Sequence, residues 1–595
     1  MGRDEASAER FAARAREALS AGNALLGYDL AERALQLGLR TRALHYLSLL
    51  SLANAGNSAL AWQRYRDHAP PEDEQDEDWL ALKGRLLKDL ALAGGGAHDF
   101  RRAAEAYLAA FRQTGGYFAA VNAASMFLLA GAEREARALA REVLLLAGGL
   151  TPADDGERYF LSATEAEAAL LLGDGRRAAA SLREADRWSR HDLNARSRTR
   201  AQLRLICAHL GIEDVYSKLL SLPAVIELER RAAALAVGLR STRSAGTGPG
   251  SSSARLARSL VYAAISQPAD LCAAECFQAK GARLHLVLPA PRKALMEHWQ
   301  QAYGAGWAMR LARCLEQAAD VTATQGFLAD EQAWAAAHVG ALARGLARLC
   351  AQRLGCELQR VELLPAAQPP GFRLRTRRGR DAPDTLVPAA ASSPERRCVG
   401  LIFADIAGFR RLRDADLPRF QSQVMGGIAR VIEDSGVRPL FRHTWGDAVN
   451  LITEDAAGAA RLALAIQACI EGVRRSAGGP LADIELRLAA HYAPVFAGYD
   501  PVERQPTFYG TQLSFAARVE PVTPPGMIFV TEAFAARLAL EAPEEFRLEY
   551  AGEVELAKHF GKYRLFGLRA APSRARRAVT PAARYDASGL HAQRS

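Results

Sequence analysis

Along residues 5–240, apolar side chains, mostly Ala and Leu, recur at three-and-four spacing between Arg and Glu positions, which is the pattern of amphipathic helices. No alternating strand signal interrupts them, so the span is expected to be all-α. Glycines stand where each helical run ends, at Gly22, Gly56, Gly94, Gly131, Gly173 and Gly211, at intervals of 34, 38, 37, 42 and 38 residues. After a flexible Gly/Ser linker at 241–253, the pattern changes. Residues 254–364 alternate short apolar runs with helical ones: SLVYAAI, ADLCAAECFQAKG, ARLHLVLPAP, a helical stretch to Ala318, then ADVTATQ. Strand, helix, strand is the rhythm of a parallel α/β sheet. Residues 365–396, dense in Pro and Arg, cannot bury a core and are expected to be a second linker. A third folded region covers 397–569, and the tail at 570–595 has the linker's disordered character.

Composition narrows the class without changing this map. A chain of 595 residues is too long for one core, and the prior is about three to four domains. Apolar residues at 49% and charged residues at 24% are ordinary for a globular protein. The net charge of +10 comes from arginine, since there are only seven lysines, and the arginines are spread along the chain beside similar numbers of acids. No basic face with interleaved aromatics results, so nucleic acid is not an expected partner. Eight cysteines without a CxxC pair point to a reducing compartment. The amino terminus is charged from its third residue and has no apolar core, so no signal peptide is expected. The longest uncharged run, Gly115 to Ala132, is broken by glycines, Asn122 and Ser125, and makes a poor membrane span. A cytoplasmic location is expected.

The glycine period is near that of a tetratricopeptide-like helical repeat, whose helical pairs stack because none buries its apolar face alone. TGGYFAAVNAASMFLLAGAEREARALAREV, from Thr114 to Val143, resembles the tetratricopeptide-like TRAFs-binding region of apoptosis signal-regulating kinases and their bacterial relatives. That resemblance implies a protein partner on the helical domain. Residues 254–364 resemble the small Rossmann-like SLOG domains, which hold nucleotide-derived ligands where strand ends meet helix starts. The turn Ser266-Gln267-Pro268-Ala269-Asp270 lacks the glycines that would admit a phosphate, and Asp270 and Glu275 can equally be a helix cap and a solvated acid.

The chemistry lies in the last region. The apolar run CVGLIF, Cys398 to Phe403, leads into Ala404-Asp405-Ile406-Ala407-Gly408-Phe409, placing an acid at the end of a buried strand. A helix is expected to follow to about Ser435. PLFRHTWGDAVNLI, Pro439 to Ile452, predicts two strands with a tight turn at Trp445-Gly446-Asp447. Asp405 and Asp447 then fall on adjacent strands, where two carboxylates can hold two divalent cations roughly 4 Å apart.

FADIAGF, the aspartate of GDA 42 residues later, His491 in LAAHYAPV, YGTQLSFAARVEP and PPGMIFV together resemble the class III adenylate/guanylate cyclase catalytic domain, over residues 397–569. The resemblance implies an α+β, ferredoxin-like fold that turns ATP or GTP into a 3′,5′-cyclic nucleotide and pyrophosphate with two Mg²⁺ or Mn²⁺ ions per site. It implies metal binding by Asp405, Asp447 and the Ile406 carbonyl, and phosphate contact by the amides of Ala407, Gly408 and Phe409. Arg518 takes the place of the arginine that stabilises charge on the α-phosphate, and Lys558, or Lys562, that of the polyphosphate lysine. The family's site is shared between protomers, so a homodimer is implied.

The departures are specific. The base-reading position is His443, where adenylate cyclases carry lysine and guanylate cyclases glutamate, and its partner is Thr507. Ser514 replaces the ribose-orienting asparagine, Ala493 a glycine and Arg410 a threonine. His443 is open between base reader and plain strand residue, while His491 is expected to be structural. Two functions compete: a cyclase regulated by its front domains, and a degenerate cyclase-homology scaffold that binds nucleotide or dimerises without turnover.

Overall fold

The computed structural model describes residues 2–71, 76–188, 192–230, 259–324, 332–365, 372–377, 396–477, 479–558 and 560–571. The chain divides into two units, residues 1–222 with 353–356, and residues 223–352 with 357–571.

Eleven helices follow one another among the described residues of the first unit: α1 (Gly2–Ser20), α2 (Ala24–Gln36), α3 (Arg42–Asn54), α4 (Ser58–His68), α5 (Glu77–Leu92), α6 (Ala97–Thr114), α7 (Tyr117–Leu129), α8 (Glu133–Gly148), α9 (Asp155–Leu171), α10 (Gly175–Ala185) and α11 (Leu193–Leu210). Asn23, Thr41, Asn57, Asp76, Asp154, Asp174 and Asp192 each cap a helix by accepting the N–H three residues on. All six glycines of the recurring series have positive φ, from 66° to 149°, a conformation that only glycine adopts at little cost. Consecutive helices from α1 to α10 pack on each other. The odd-numbered ones also touch in series from α1 to α9, and α11 returns to touch α9, α7 and α1. Every residue of α7 from Ala119 to Leu129 is buried, as expected of a helix enclosed by its neighbours.

The second unit opens with a six-stranded sheet in the order β4-β3-β2-β1-β5-β6. Its strands are β1 (Val225–Arg230), β2 (Leu260–Ala264), β3 (Arg283–Leu288), β4 (Asp320–Ala323), β5 (Leu358–Pro365) and β6 (Phe372–Arg377), all parallel except β6. The helices are α12 (Pro268–Gln278), α13 (Arg292–Tyr303), α14 (Ala305–Gln317) and α15 (Gln332–Leu354). Two expectations need correction. The helical span does not run to 240, because β1 pairs with β2 and β5 and belongs to the sheet. The stretch at 365–396 is not all linker, because FRLRTR alternates with period two and adds β6 to β5. The Gly/Ser stretch at 241–253 and residues 572–595 lie outside the described residues.

The eight-stranded sheet of the C-terminal region runs β13-β14-β12-β10-β7-β9-β8, with β11 paired to β10. Its strands are β7 (Arg396–Ala407), β8 (Phe441–Trp445), β9 (Ala448–Thr453), β10 (Glu485–Asp500), β11 (Gln505–Tyr509), β12 (Met527–Thr531), β13 (Phe546–Glu555) and β14 (Lys562–Ala570). Four helices complete this α+β region: α16 (Gly426–Asp434), α17 (Ala456–Ser476), α18 (Thr511–Val519) and α19 (Glu532–Glu541). Among the described residues α17 alone is long and apolar enough to cross a membrane, but half of that stretch is buried and it packs on β7, β9 and β10.

Within this unit the two sheets are joined. Val287 of β3 and Val339, Leu342 and Ala343 of α15 share a cluster with Ala536 of α19. Gly345 sits so close to the Ala536 carbonyl that a Cβ there would overlap it. Arg564 of β14 reaches Asp320 at 2.8 Å and Glu532 at 3.5 Å, with all three side chains largely buried.

Candidate active site

Central strand β7 pairs antiparallel with both β9 and β10, and its register with β9 sets Ala404 opposite Val449. The strand runs on to Ala407, so Asp405 lies within it, rather than just past its end. β8 and β9 are joined by the two-residue loop Gly446-Asp447, with Gly446 at φ 63°. The expected adjacency of Asp405 and Asp447 follows directly. Burial raises the pKa of Asp447, and the charge of Asp405 and a hydrogen bond shared with it add to the rise, against opposing effects from Asp447's own amide and from Arg410. The two carboxyls lie within hydrogen-bonding reach of each other.

A third acid lies within electrostatic reach of them. Glu520 follows α18, and burial together with the charge of Asp405 lifts its carboxyl to about 7, with Arg487 opposing and Asp447 adding to the rise. Arg487 is the β10 residue directly opposite Asp405. Glu520 Oε1 and Arg487 Nε are both buried without a hydrogen-bond partner. Neither residue was singled out from sequence. Glu520 stood two places after Arg518 in the same motif, while Arg487 emerges only from the β7/β10 register.

The segment after Asp405 departs from the expected continuous helix. Gly408, at φ 98°, begins a 3₁₀ turn over Phe409–Arg411, and the chain reaches α16 only through a π-helical stretch at Phe420–Met425. The N–H groups of Arg411 and Leu412 bond the carbonyls of Gly408 and Phe409. The amides just before them are those that such a turn leaves without an internal acceptor. Ala407 ends β7, paired with Glu485, and Gly408 and Phe409 lead into that turn without a regular helix start.

A second group of residues gathers at α18. Ser514 and Arg518 share one face, four residues apart, and Arg518 Nη1 donates to the Ser514 carbonyl at 2.6 Å. The Arg518 guanidinium lies over the Phe560 ring at 4.3 Å, in the β13–β14 loop that also carries exposed Lys558 at φ 63°. Arg518 and the Lys558 loop are thus brought together. Among the described residues no interaction joins Arg518, Ser514 or Lys558 to Asp405 or Asp447. Lys562 is in β14, opposite Glu555. His443 is on β8 opposite Asn450, and Thr507 on β11 opposite Gly498. The ring contact of Phe441 with Phe508, at 6.4 Å, draws those two strands together.

Two sequence candidates are occupied internally. His491 is buried, with Nδ1 2.8 Å from Thr531 Oγ1 and Nε2 3.0 Å from Gln512 Oε1, and burial lowers its pKa to about 4. It fixes the inner face of α18 to β10 and β12. Asp270 accepts from the Ser266 and Gln267 amides and the Ser266 hydroxyl, and Glu275 pairs with Arg310, so neither is open to a ligand.

The donor set at the acids suits hard divalent cations: the carboxyls of Asp405 and Asp447, with the Ile406 backbone next along β7. It is an open set, since among the described residues no three His, Cys, Asp or Glu side chains gather as a metal cluster.

Residues 391–569 match the Adenylate and Guanylate cyclase catalytic domain. Residues 25–129 match Tetratricopeptide Repeats-Sensor. The chain thus combines a repeat region with a C-terminal region homologous to class III cyclases. Neither family model covers the middle sheet, and a distinct SLOG-like domain is without support beyond its parallel strands. Among solved structures, the guanylate cyclase domain of RhGC from Catenaria anguillulae in complex with GTP is 19% identical, over 30% of this chain and 100% of that one, with a TM-score of 0.26. The adenylyl cyclase CyaB from P. aeruginosa is 15% identical over 30% of this chain and 97% of that one, with a TM-score of 0.27. No curated protein sequence matches the chain.

Proposed function

We propose that this protein is a nucleotidyl cyclase that acts as a homodimer on ATP or GTP, with its helical-repeat region taking a protein partner and, together with the middle sheet, exerting control. The observation that carries this reading is the like-charge contact of Asp405 and Asp447, which leaves each carboxylate calling for a cation. Asp405, Asp447 and the Ile406 carbonyl would hold two Mg²⁺ or Mn²⁺ ions. When bound, these ions supply Lewis-acid activation of the ribose 3′-hydroxyl and charge neutralisation on the phosphates. Ala407, Gly408 and Phe409 offer amides to the phosphates, Arg518 and Lys558 offer positive charge, Ser514 reaches the ribose, and His443 with Thr507 lies against the base.

The homodimer follows from the resemblance, in which the arginine and lysine of one copy serve the acids of the other, and the gathering of Arg518 with the Lys558 loop suits that role. Incubation of the full chain with ATP or GTP and Mn²⁺ or Mg²⁺, with chromatography for cyclic nucleotide, tests the reading. Mixing Asp405→Ala with Arg518→Ala chains should restore up to one intact site per heterodimer. Failure to complement, in a mixture shown to exchange subunits, would sink the shared site.

A second reading has its own observation. Arg410, in place of threonine, acts electrostatically on Asp447. A built-in cation of that kind favours a scaffold that binds nucleotide without turnover, and nucleotide binding without product in the same assay would select it.

A further inference from the structure

The helical unit turns charge inward. Arg85, Lys88 and Asp89 occupy one face of α5, at i, i+3 and i+4, Glu167 sits on α9, and Arg198 and Gln202 lie at i and i+4 on α11. These are odd-numbered helices of the inner row that closes when α11 returns to α1. The side chains are neighbours across it. Lys88 Nζ donates to Gln202 Oε1 at 3.4 Å and lies within electrostatic reach of Glu167, Arg85 and Arg198. Arg85, Lys88, Asp89 and Arg198 are half-buried where these helices face one another.

That space is polar and incompletely bonded. Glu167 and Gln202 are 7% and 6% exposed, yet Glu167 Oε2 and Gln202 Nε2 have no partner, and neither has Arg85 Nη1. Leaving such groups unmet is costly, so a fold that gathers three of them in one place has something to put there. Its character follows from the charges already answered. Asp89 accepts from Ser58 Oγ at 2.9 Å and pairs with Arg85 at 3.4 Å. Asp192, near Arg198, accepts the Ala195 amide as a helix cap. Among the described residues no carboxylate is bonded to Lys88 or Arg198. Burial also acts on both signs of charge here, bringing Lys88 down to about 8 and Glu167 up to about 7.

We propose that the interior bounded by α5, α9 and α11 is a binding site for a small oxyanion-bearing metabolite, its phosphate or carboxylate between Lys88 and Arg198 and a donor group against Glu167. This site is separate from the acidic pair and does not depend on cyclase activity.

The test is calorimetric titration and thermal unfolding of the full chain with inorganic phosphate and with citrate, against chloride at matched ionic strength. Saturable binding of at least one oxyanion is expected, with a higher melting temperature. Lys88→Met and Arg198→Met should each weaken it at least tenfold at unchanged helicity. Glu167→Gln, which keeps the shape and removes a negative charge, should bind oxyanions as tightly or severalfold tighter, and it decides the matter if the methionine variants fail to fold. No saturable binding of either probe, equal binding by the folded methionine variants, or weaker binding by Glu167→Gln would overturn the proposal.

Discussion

The two charged clusters of this protein pose opposite problems. On the C-terminal sheet, acids of one sign are pressed together at the edge of the solvent by strand register. In the helical unit, both signs are enclosed by helices far apart in the chain, and among the described residues Lys88 and Arg198 are left without a bonded carboxylate. The first cluster is local in construction, since one hairpin and one strand make it. The second exists only because α11 comes back to the helices that began the unit. Unanswered charge of either sign marks a place where something outside the chain completes the structure, and its sign says what.

The largest effect should come from the acidic side. Asp405→Ala or Asp447→Ala should reduce cyclic nucleotide formation to background while leaving the unfolding transition in place or raising it, because each removes a repelling charge near the surface. Activity retained in either variant would break the two-metal reading. Next in size is the joint between the sheets. Arg564→Ala leaves Asp320 and Glu532 buried without their guanidinium and should cost the second unit about 3 kcal/mol in denaturant unfolding. A loss within error would show that the joint is replaceable.

The enclosed cluster predicts a pH dependence of opposite sense to ordinary acid unfolding. The Glu167 carboxyl titrates near 4.5 when unfolded and near 7 when folded, so the folded state holds the extra proton and its stability falls as pH rises through that window. Glu167→Gln should flatten this fall between pH 4.5 and 7. An unchanged profile would place the titration elsewhere. The smallest effect concerns the base. Neutral His443 can both donate and accept, so His443→Lys should move preference toward ATP and His443→Glu toward GTP, each by about tenfold at most. Steady-state rates with both nucleotides measure it.

What the sequence disclosed follows the same division between local and distant. The recurring glycines marked helix ends because their backbone conformation is a local property, and β2 and β3 were legible because each is a short apolar run beside a helix. β1 was not, since VIELER carries three charges, and its Glu227 is buried because Arg360 stands directly opposite on β5, 133 residues away. The acidic pair was readable from motifs. Arg487 needed the register, and the cluster at Lys88, Glu167 and Arg198 needed the closure of the helical row. The helix after Gly408 was misjudged because its composition is helical throughout, while the turn geometry at the acids breaks it into short pieces.

The joint formed by α15 and α19 bears on how this protein can be divided. A recombinant fragment beginning near Arg396 would strip Val339, Leu342 and Ala343 from Ala536, leave Arg564 without Asp320, and bare a surface that aggregates. Cys398, 3.6 Å from His338, would lose its neighbour as well. The smallest soluble piece that carries the C-terminal sheet should therefore start near Pro223, ahead of β1, and a library of truncations graded by expression yield should show its step there and not at the start of β7.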